Sequence, residues 1–148
     1  MDNISNEIIV STLEDENDGD LSVGDLSLRE AIALSNEQAG TDTITFDSNL
    51  SGGTITLALG ELAINKSLTI QGLGANNIII DADDNTRVFN IDDNSQTQSE
   101  VVINDLSITG GSVFNRPNQE IASGGGILNF LVSTALVEDT AAIEAKAA

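Results

Sequence analysis

The residues whose types and spacing are best suited to chemistry lie in an acidic loop near the N-terminus, residues 14–25. Acidic side chains occupy its first, third and fifth positions, Gly19 the sixth, an apolar residue the eighth and a carboxylate the twelfth. Hard oxygen ligands at alternating positions let a turning backbone wrap one cation, and the glycine permits the sharp bend. The pattern predicts a calcium site with five ligands: Glu14, Glu16, Asp18, Asp20 and Asp25.

This register is EF-hand-like, with two departures. Its first position holds Glu14, where the shorter Asp is strongly preferred, and its last holds Asp25, as in dockerin-type loops but not in most EF-hands. The sequence leaves two alternatives open at this loop. One is a calcium loop to which Asp20 contributes its backbone carbonyl, and the other is a solvated acidic turn.

A second group of carboxylates lies near the middle of the chain: Asp81, Asp83, Asp84, Asp92 and Asp93. Acid–base catalysis would need partners for these groups. The chain contains no His, and Arg87 is the one basic residue close to them in sequence. Asp next to Asn and Gly is also ordinary turn chemistry. We therefore assign no catalytic residues and expect that the protein is not an enzyme.

The charge balance narrows the range of partners. The chain carries 24 acidic and 5 basic residues among its 148, a formal net charge of −19. Such a surface repels nucleic acid and anionic lipid, so we expect neither as a partner. It attracts divalent cations, basic proteins and cationic polymers, although solubility alone would also explain the charge.

Other absences exclude further classes. Without Cys the chain can form no disulfide, and without His it lacks the commonest general base and transition-metal ligand. No apolar run approaches the length of a membrane span, and we expect neither membrane insertion nor a signal peptide in this chain. Because only 3% of the residues are aromatic, the core must be built mainly from Ile, Leu, Val and Ala.

The elements that position these residues begin with one helix. Residues 26–36 predict it, with Ser27 or Asp25 as N-cap and Gly40 in the C-cap region. Its apolar stripe has helical spacing: Leu28, Ala31, Ile32 and Ser35. Short β-rich runs lie before and after the helix, separated by turn residues: 8–13, 43–46, 54–57, 68–71, 77–80, 88–91, 101–103 and 106–109.

An internal repeat favours a solenoid over a sandwich or barrel. Residues 68–72 resemble 106–110, and residues 88–91 resemble 127–130 at nearly the same offset. Two matches at one offset are natural if about two coils of a β-helix separate equivalent positions. Asn90 and Asn129 would then be equivalent and could form an asparagine ladder. The inward-facing residues are expected to be apolar: Leu68, Ile70, Leu106 and Ile108.

The last part of the chain departs from this pattern. Residues 131–148 lose the Gly and Asn turns and become Ala-rich, so they predict a short C-terminal helix or a disordered tail. We expect one β-helix domain over residues 1–130, with a cap at 7–40 and coils at 41–130, followed by this tail as a second cap.

The run Gly24–Ile32, with sequence GDLSLREAI, resembles the Ser-Leu-Arg-Glu-Ala-Ile signature of CSLREA-type, or polymorphic outer membrane protein-like, β-helix proteins. Residues 40–47, 68–75, 106–111 and 124–129 are similar to coil segments of that family, in the family's order. The resemblance covers roughly residues 7–129. Leu26 replaces the Cys that one branch of the family carries at this position.

The resemblance implies an all-β fold, a short right-handed parallel β-helix whose open first coil is covered by the amphipathic helix. Arg29 would lie at the rim of that coil, as a structural contact or as a solvated charge. The resemblance also implies an extracellular or cell-surface location. The expected function is a non-catalytic, adhesin-like module that binds a protein or glycan or self-associates through its solenoid ends. The alternative is a carbohydrate-active β-helix enzyme or its degenerate relative.

Overall fold

A computed structural model describes residues 6–92, 100–113, 126–129, 134–138 and 143–147. The one α-helix of these residues, α1, spans Leu28–Glu37, and a short 3₁₀ turn spans Ser48–Leu50. The strands of these residues are β1 (Glu7–Val10), β2 (Asp42–Phe46), β3 (Gly53–Thr56), β4 (Leu62–Ile64), β5 (Leu68–Gln71), β6 (Ile78–Asp81), β7 (Phe89–Ile91), β8 (Glu100–Asn104), β9 (Ser107–Val113), β10 (Ile127–Asn129), β11 (Thr134–Glu138) and β12 (Ile143–Ala147).

The strands form three sheets in which every strand pair is parallel. Sheet A has the order β1-β2-β5-β8-β11, sheet B β3-β6-β9-β12 and sheet C β4-β7-β10. From β2 onward, each third strand along the chain returns to the same sheet, one coil further along. This topology confirms the predicted parallel β-solenoid.

The core is a set of aliphatic columns running along the solenoid. In sheet A, Ile44, Ile70 and Ile103 are paired in register, and each has 0% exposure. β2 and β5 alternate buried and half-buried positions, as expected for strands with one face inward. The four inward positions predicted from the sequence are all buried: Leu68, Ile70, Leu106 and Ile108.

Helix α1 begins and packs as the sequence predicts. Ser27 is its N-cap: the Ser27 hydroxyl accepts from the Glu30 amide at 3.1 Å, and the Glu30 carboxylate accepts from the Ser27 amide at 3.2 Å. This reciprocal capping box fixes the first turn. The predicted stripe is buried: Leu28, Ala31, Ile32 and Ser35. The helix contacts β1, β2 and β4 and so caps the N-terminal end of the core.

Of the two predicted repeat matches, the first joins strands of different sheets and the second joins neighbouring strands of one sheet in a shifted register. Leu68 pairs with Val101 in sheet A, whereas Ser107 lies in sheet B and pairs with Ile79. β7 and β10 are neighbours, but Asn90 faces Leu128 and Asn129 faces Ile91. The backbone register therefore does not pair Asn90 with Asn129, as the predicted asparagine ladder requires, and β7 and β10 lie one coil apart rather than two. Residues 68–72 and 106–110 have similar sequences because strands in all three sheets alternate inward and outward residues in the same way. The corners between the strands differ in length.

The predicted C-terminal helix is also wrong where the structure describes the tail. β11 pairs with β8 and β12 pairs with β9, so these segments extend sheets A and B. The remaining positions from 130 onward lie outside the described residues. Alanine favours helix locally, but the parallel edges of β8 and β9 supply backbone partners that override this weak preference.

Candidate functional site in the N-terminal cap

The acidic loop lies against the first coil of the solenoid. Leu13 is partly buried against the core. A Cβ added at Gly53, the first residue of β3, would come within 2.3 Å of Leu13 Cδ1. The Leu13 side chain therefore packs directly over the start of β3, in the space that a side chain at position 53 would occupy. This contact places residues 14–25 at the same end of the solenoid as helix α1.

Asp15 is the most constrained side chain of the loop, with 2% of it exposed. Its Oδ2 accepts from the amides of Ala58 at 2.7 Å and Leu59 at 2.9 Å. Its Oδ1 accepts from Arg29 Nε at 2.7 Å, and Oδ2 also accepts from Arg29 Nη2 at 3.0 Å. Burial acts to raise the pKa of Asp15, but the Arg29 hydrogen bond and charge and the two amide bonds outweigh burial, so this pKa is lowered.

Arg29 completes the same contact from the helix. Its Nη1 donates to the carbonyl of Glu61 at 3.1 Å, and its Nη2 donates to the carbonyl of Gly60 at 2.6 Å. Asp15 and Arg29 together bond two amides and two carbonyls in the corner between β3 and β4. These are the outermost strands of sheets B and C, so no preceding coil can supply such partners. Of the two alternatives for Arg29, the structure shows the rim contact.

Asp15 was missed by sequence reasoning because the calcium register assigns it to the second position, which contributes no ligand. The available signal was Arg29 in the helix: a positive charge at a solenoid rim needs a carboxylate partner, and Asp15 is in the adjoining loop. Which acid of that loop would be buried depends on the path of the backbone, and the spacing of acidic residues does not contain that information.

Several predicted ligands make hydrogen bonds within the loop. Asp18 Oδ1 accepts from the Asp20 amide at 2.8 Å, and Asp20 Oδ1 accepts from the Ser22 amide at 3.0 Å. These are successive Asx turns, in which a side chain replaces a backbone acceptor. The carbonyl of Glu16 accepts from the Ser27 hydroxyl at 2.8 Å. The loop is thus tied to itself and to the start of helix α1.

The predicted ligands lie near enough to repel one another. Desolvation raises the pKa of Glu16, and the negative charges of Asp25, Asp18, Glu14 and Glu30 raise it further. Desolvation and the same kind of repulsion, led by Asp20, raise the pKa of Asp25. The hydrogen bonds from Ser22 lower the pKa of Asp20. In the part of the chain that the structure describes, no three acidic side chains converge as metal ligands do.

Of the second acidic group, Asp81, Asp83 and Asp84 lie at the corner between β6 and β7, whereas Asp92 follows β7 and its amide donates to the Ile64 carbonyl. Asp83 and Asp84 have φ values of 52° and 58°, a left-handed conformation that Asp tolerates better than most residues. Asp81 Oδ1 accepts from the Asp83 amide at 2.8 Å, and the Asp84 amide donates to the carbonyl of Gly110 at 2.8 Å. The corner is thus folded onto the next coil. Asp93 lies outside the described residues.

Two hollows adjoin helix α1. The larger, of about 270 Å³, lies between the helix and β4 and includes Arg29, Asn36 and Glu61. Glu61 already accepts from Arg87 at 3.0 Å and from Asn90 at 3.1 Å. Asn36 donates to the Ala63 carbonyl and accepts from the Asn65 amide. The smaller hollow, of about 140 Å³, lies between the loop and the helix.

No helix in the described segments is long and apolar enough to cross a membrane. Comparisons with protein-family models, with curated proteins and with solved structures found no match.

Proposed function

We propose that the chain is a non-catalytic structural or binding module of a secreted or cell-surface protein, built on a CSLREA-type right-handed β-helix. One observation carries the proposal. Four of the loop and corner carboxylates hold backbone amides: Asp15 bonds the first corner, Asp18 and Asp20 form turns, and Asp81 folds the β6–β7 corner.

The motif that carries the family resemblance supports the same proposal. Ser27 and Glu30 form the capping box, and Arg29 bonds the first corner of the solenoid. The other motif residues, Leu28, Ala31 and Ile32, are buried in the core. Each residue of the Ser-Leu-Arg-Glu-Ala-Ile run therefore makes a structural contact in the cap, and we assign a catalytic role to none of them.

The test is turnover of glycans, since a carbohydrate-active enzyme is the alternative. The protein is incubated with pectin, alginate and neutral polysaccharides, and reducing and unsaturated sugar ends are measured. We expect no release above a heat-denatured control. Release by the wild type that is lost in the Asp81→Asn variant would contradict the proposal and make this protein an enzyme.

A further inference from the structure

The hollow between the acidic loop and helix α1 has an apolar wall that nothing in the described structure covers. Leu21 from the loop faces Ala33 and Leu34 of the helix across it. Leu21 is 48% exposed, and Val23, two residues further along the loop, is 98% exposed. Exposed Leu21 on the loop side, with Ala33 and the half-buried Leu34 on the helix side, makes this hollow an apolar groove, which we call the cap groove.

Acidic residues lie in the cap groove and next to it in the sequence. Glu37 lines it directly, and Asp18 and Asp20 lie in the adjoining loop segment. Arg29, the basic residue of this region, already has its guanidinium bonded to Asp15 and to two carbonyls. Lys66, the other basic residue near this end of the helix, donates to the Gln38 carbonyl and pairs with Asp42. The groove lies on a protein whose net charge is −19.

We propose that the cap groove docks a basic segment of a partner protein. One aliphatic side chain of the partner lies between Leu21 and the helix, and flanking lysines or arginines face Glu37 and the loop carboxylates. The proposal rests on the binding function proposed above and specifies the chemistry of the partner. Removing the apolar wall from water supplies affinity, while charge complementarity steers the encounter and selects cationic partners.

The size and chemistry of the groove favour this occupant. A volume of about 140 Å³ suits one aliphatic side chain better than a sugar chain. Glu30, which also lines the groove, is 2% exposed and accepts from the Gly19 amide at 3.0 Å and from Ser27. Its carboxylate is therefore occupied, whereas a glycan site would need free polar groups converging on the ligand.

The experiment is fluorescence anisotropy on the intact protein with a short labelled peptide in which a central leucine is flanked by lysines. Peptides with a central serine, and with glutamates in place of lysines, are the comparison probes. We expect binding only with lysine flanks, tightest with leucine at the centre, and weaker at high salt. Leu21→Ser should weaken binding about fivefold, since half of that side chain remains to be buried.

Matched variants separate the groove from general attraction. Ile9 is 50% exposed on β1, so Ile9→Ser removes a comparable aliphatic side chain elsewhere and should leave affinity unchanged. Glu37→Gln should weaken binding about twofold, and Glu7→Gln, an equal charge change on β1, should not. Three outcomes would overturn the proposal. Leu21→Ser and Ile9→Ser could change the affinity equally, the leucine and serine peptides could bind equally well, or no peptide could bind even at low salt. The glycan assay contains no peptide, so the result of the glycan assay does not depend on the result of the peptide-binding experiment.

Discussion

Asp15 and Arg29 replace, at the first corner of the solenoid, the backbone partners that a preceding coil would supply. Asp15→Ala should lower the free energy of unfolding by about 3 kcal/mol, because two amides and a largely buried guanidinium lose their partner together. Urea unfolding measures this loss. Glu14→Ala is the control, since it removes the neighbouring exposed carboxylate and should change stability by less than about 0.5 kcal/mol. Equal losses in the two variants would contradict a structural role for Asp15.

The acidic loop should also give stability an unusual dependence on pH. The pKa values of Glu16 and Asp25 are raised, so their charged forms destabilise the fold, and protonation relieves this as pH falls through those pKa values. The pKa of Asp15 is lowered, so its contribution is complete above its unfolded pKa and is lost as pH falls through the folded one. Tm should therefore rise as the pH falls through the raised pKa values of Glu16 and Asp25, and it should fall again at lower pH as Asp15 is protonated.

A Glu16→Gln/Asp25→Asn double variant tests the predicted rise in Tm on mild acidification. Its Tm should be higher than that of the wild type at pH 7 and should show little rise on mild acidification. Thermal unfolding followed by circular dichroism across the pH range measures both proteins. A wild-type Tm that only falls from pH 7 downward would show that repulsion within the loop has no net effect on stability.

The calcium prediction can be tested in the same loop. If Glu14, Glu16, Asp18 and Asp25 bind calcium with the Asp20 carbonyl, saturating calcium should raise Tm by several degrees, because a ligand that binds only the folded state stabilises it. Asp18→Ala should remove the gain. Magnesium and sodium at matched ionic strength control for screening of the −19 charge. Equal stabilisation by the three salts would identify the loop as a solvated turn.

At the scale of elements, helix α1 depends on its capping box. Ser27→Ala removes the acceptor of the Glu30 amide and the donor to the Glu16 carbonyl, so it should cost about 1–2 kcal/mol of unfolding free energy. Ser48→Ala, an exposed serine in the 3₁₀ turn, is the matched control and should be nearly neutral. Chemical denaturation compares the two. A neutral Ser27→Ala would mean that packing alone defines the start of the helix.

The sequence predicted those elements whose local signals agree with the tertiary structure. Helix α1 combines a cap, a capping box and an apolar stripe, and most strands alternate apolar and polar residues between turn residues. β4 was missed because only three residues, Leu62–Ile64, form it, and the outward one is Ala63. The repeat was misinterpreted because strand composition does not distinguish the three sheets; only the lengths of the corners do.

The whole molecule is a stack in which each coil pairs with its neighbours, so removing a coil exposes new edges. Deleting residues 131–148 would remove β11, the partner of β8, and β12, the partner of β9. Unpaired amides and carbonyls would then remain along the edges of β8 and β9. The truncated protein should aggregate or form larger oligomers by light scattering and unfold at a lower temperature. Unchanged mass and Tm would show that these two strands contribute nothing to the stack.

Parallel pairing also has a consequence for how the chain reaches this structure. β1 pairs with β2 only across the acidic loop and helix α1, and from β2 onward each described strand pairs with the third one along the chain: β2 with β5, β5 with β8 and β3 with β6. Each hydrogen-bonded ladder therefore forms only after a complete coil has closed, and the entropy of that closure is lost before any ladder stabilises it. Folding should be slow for a chain of this size. Helix α1, whose capping box joins residues only three apart, is the segment able to form early and offer a surface for the first coil.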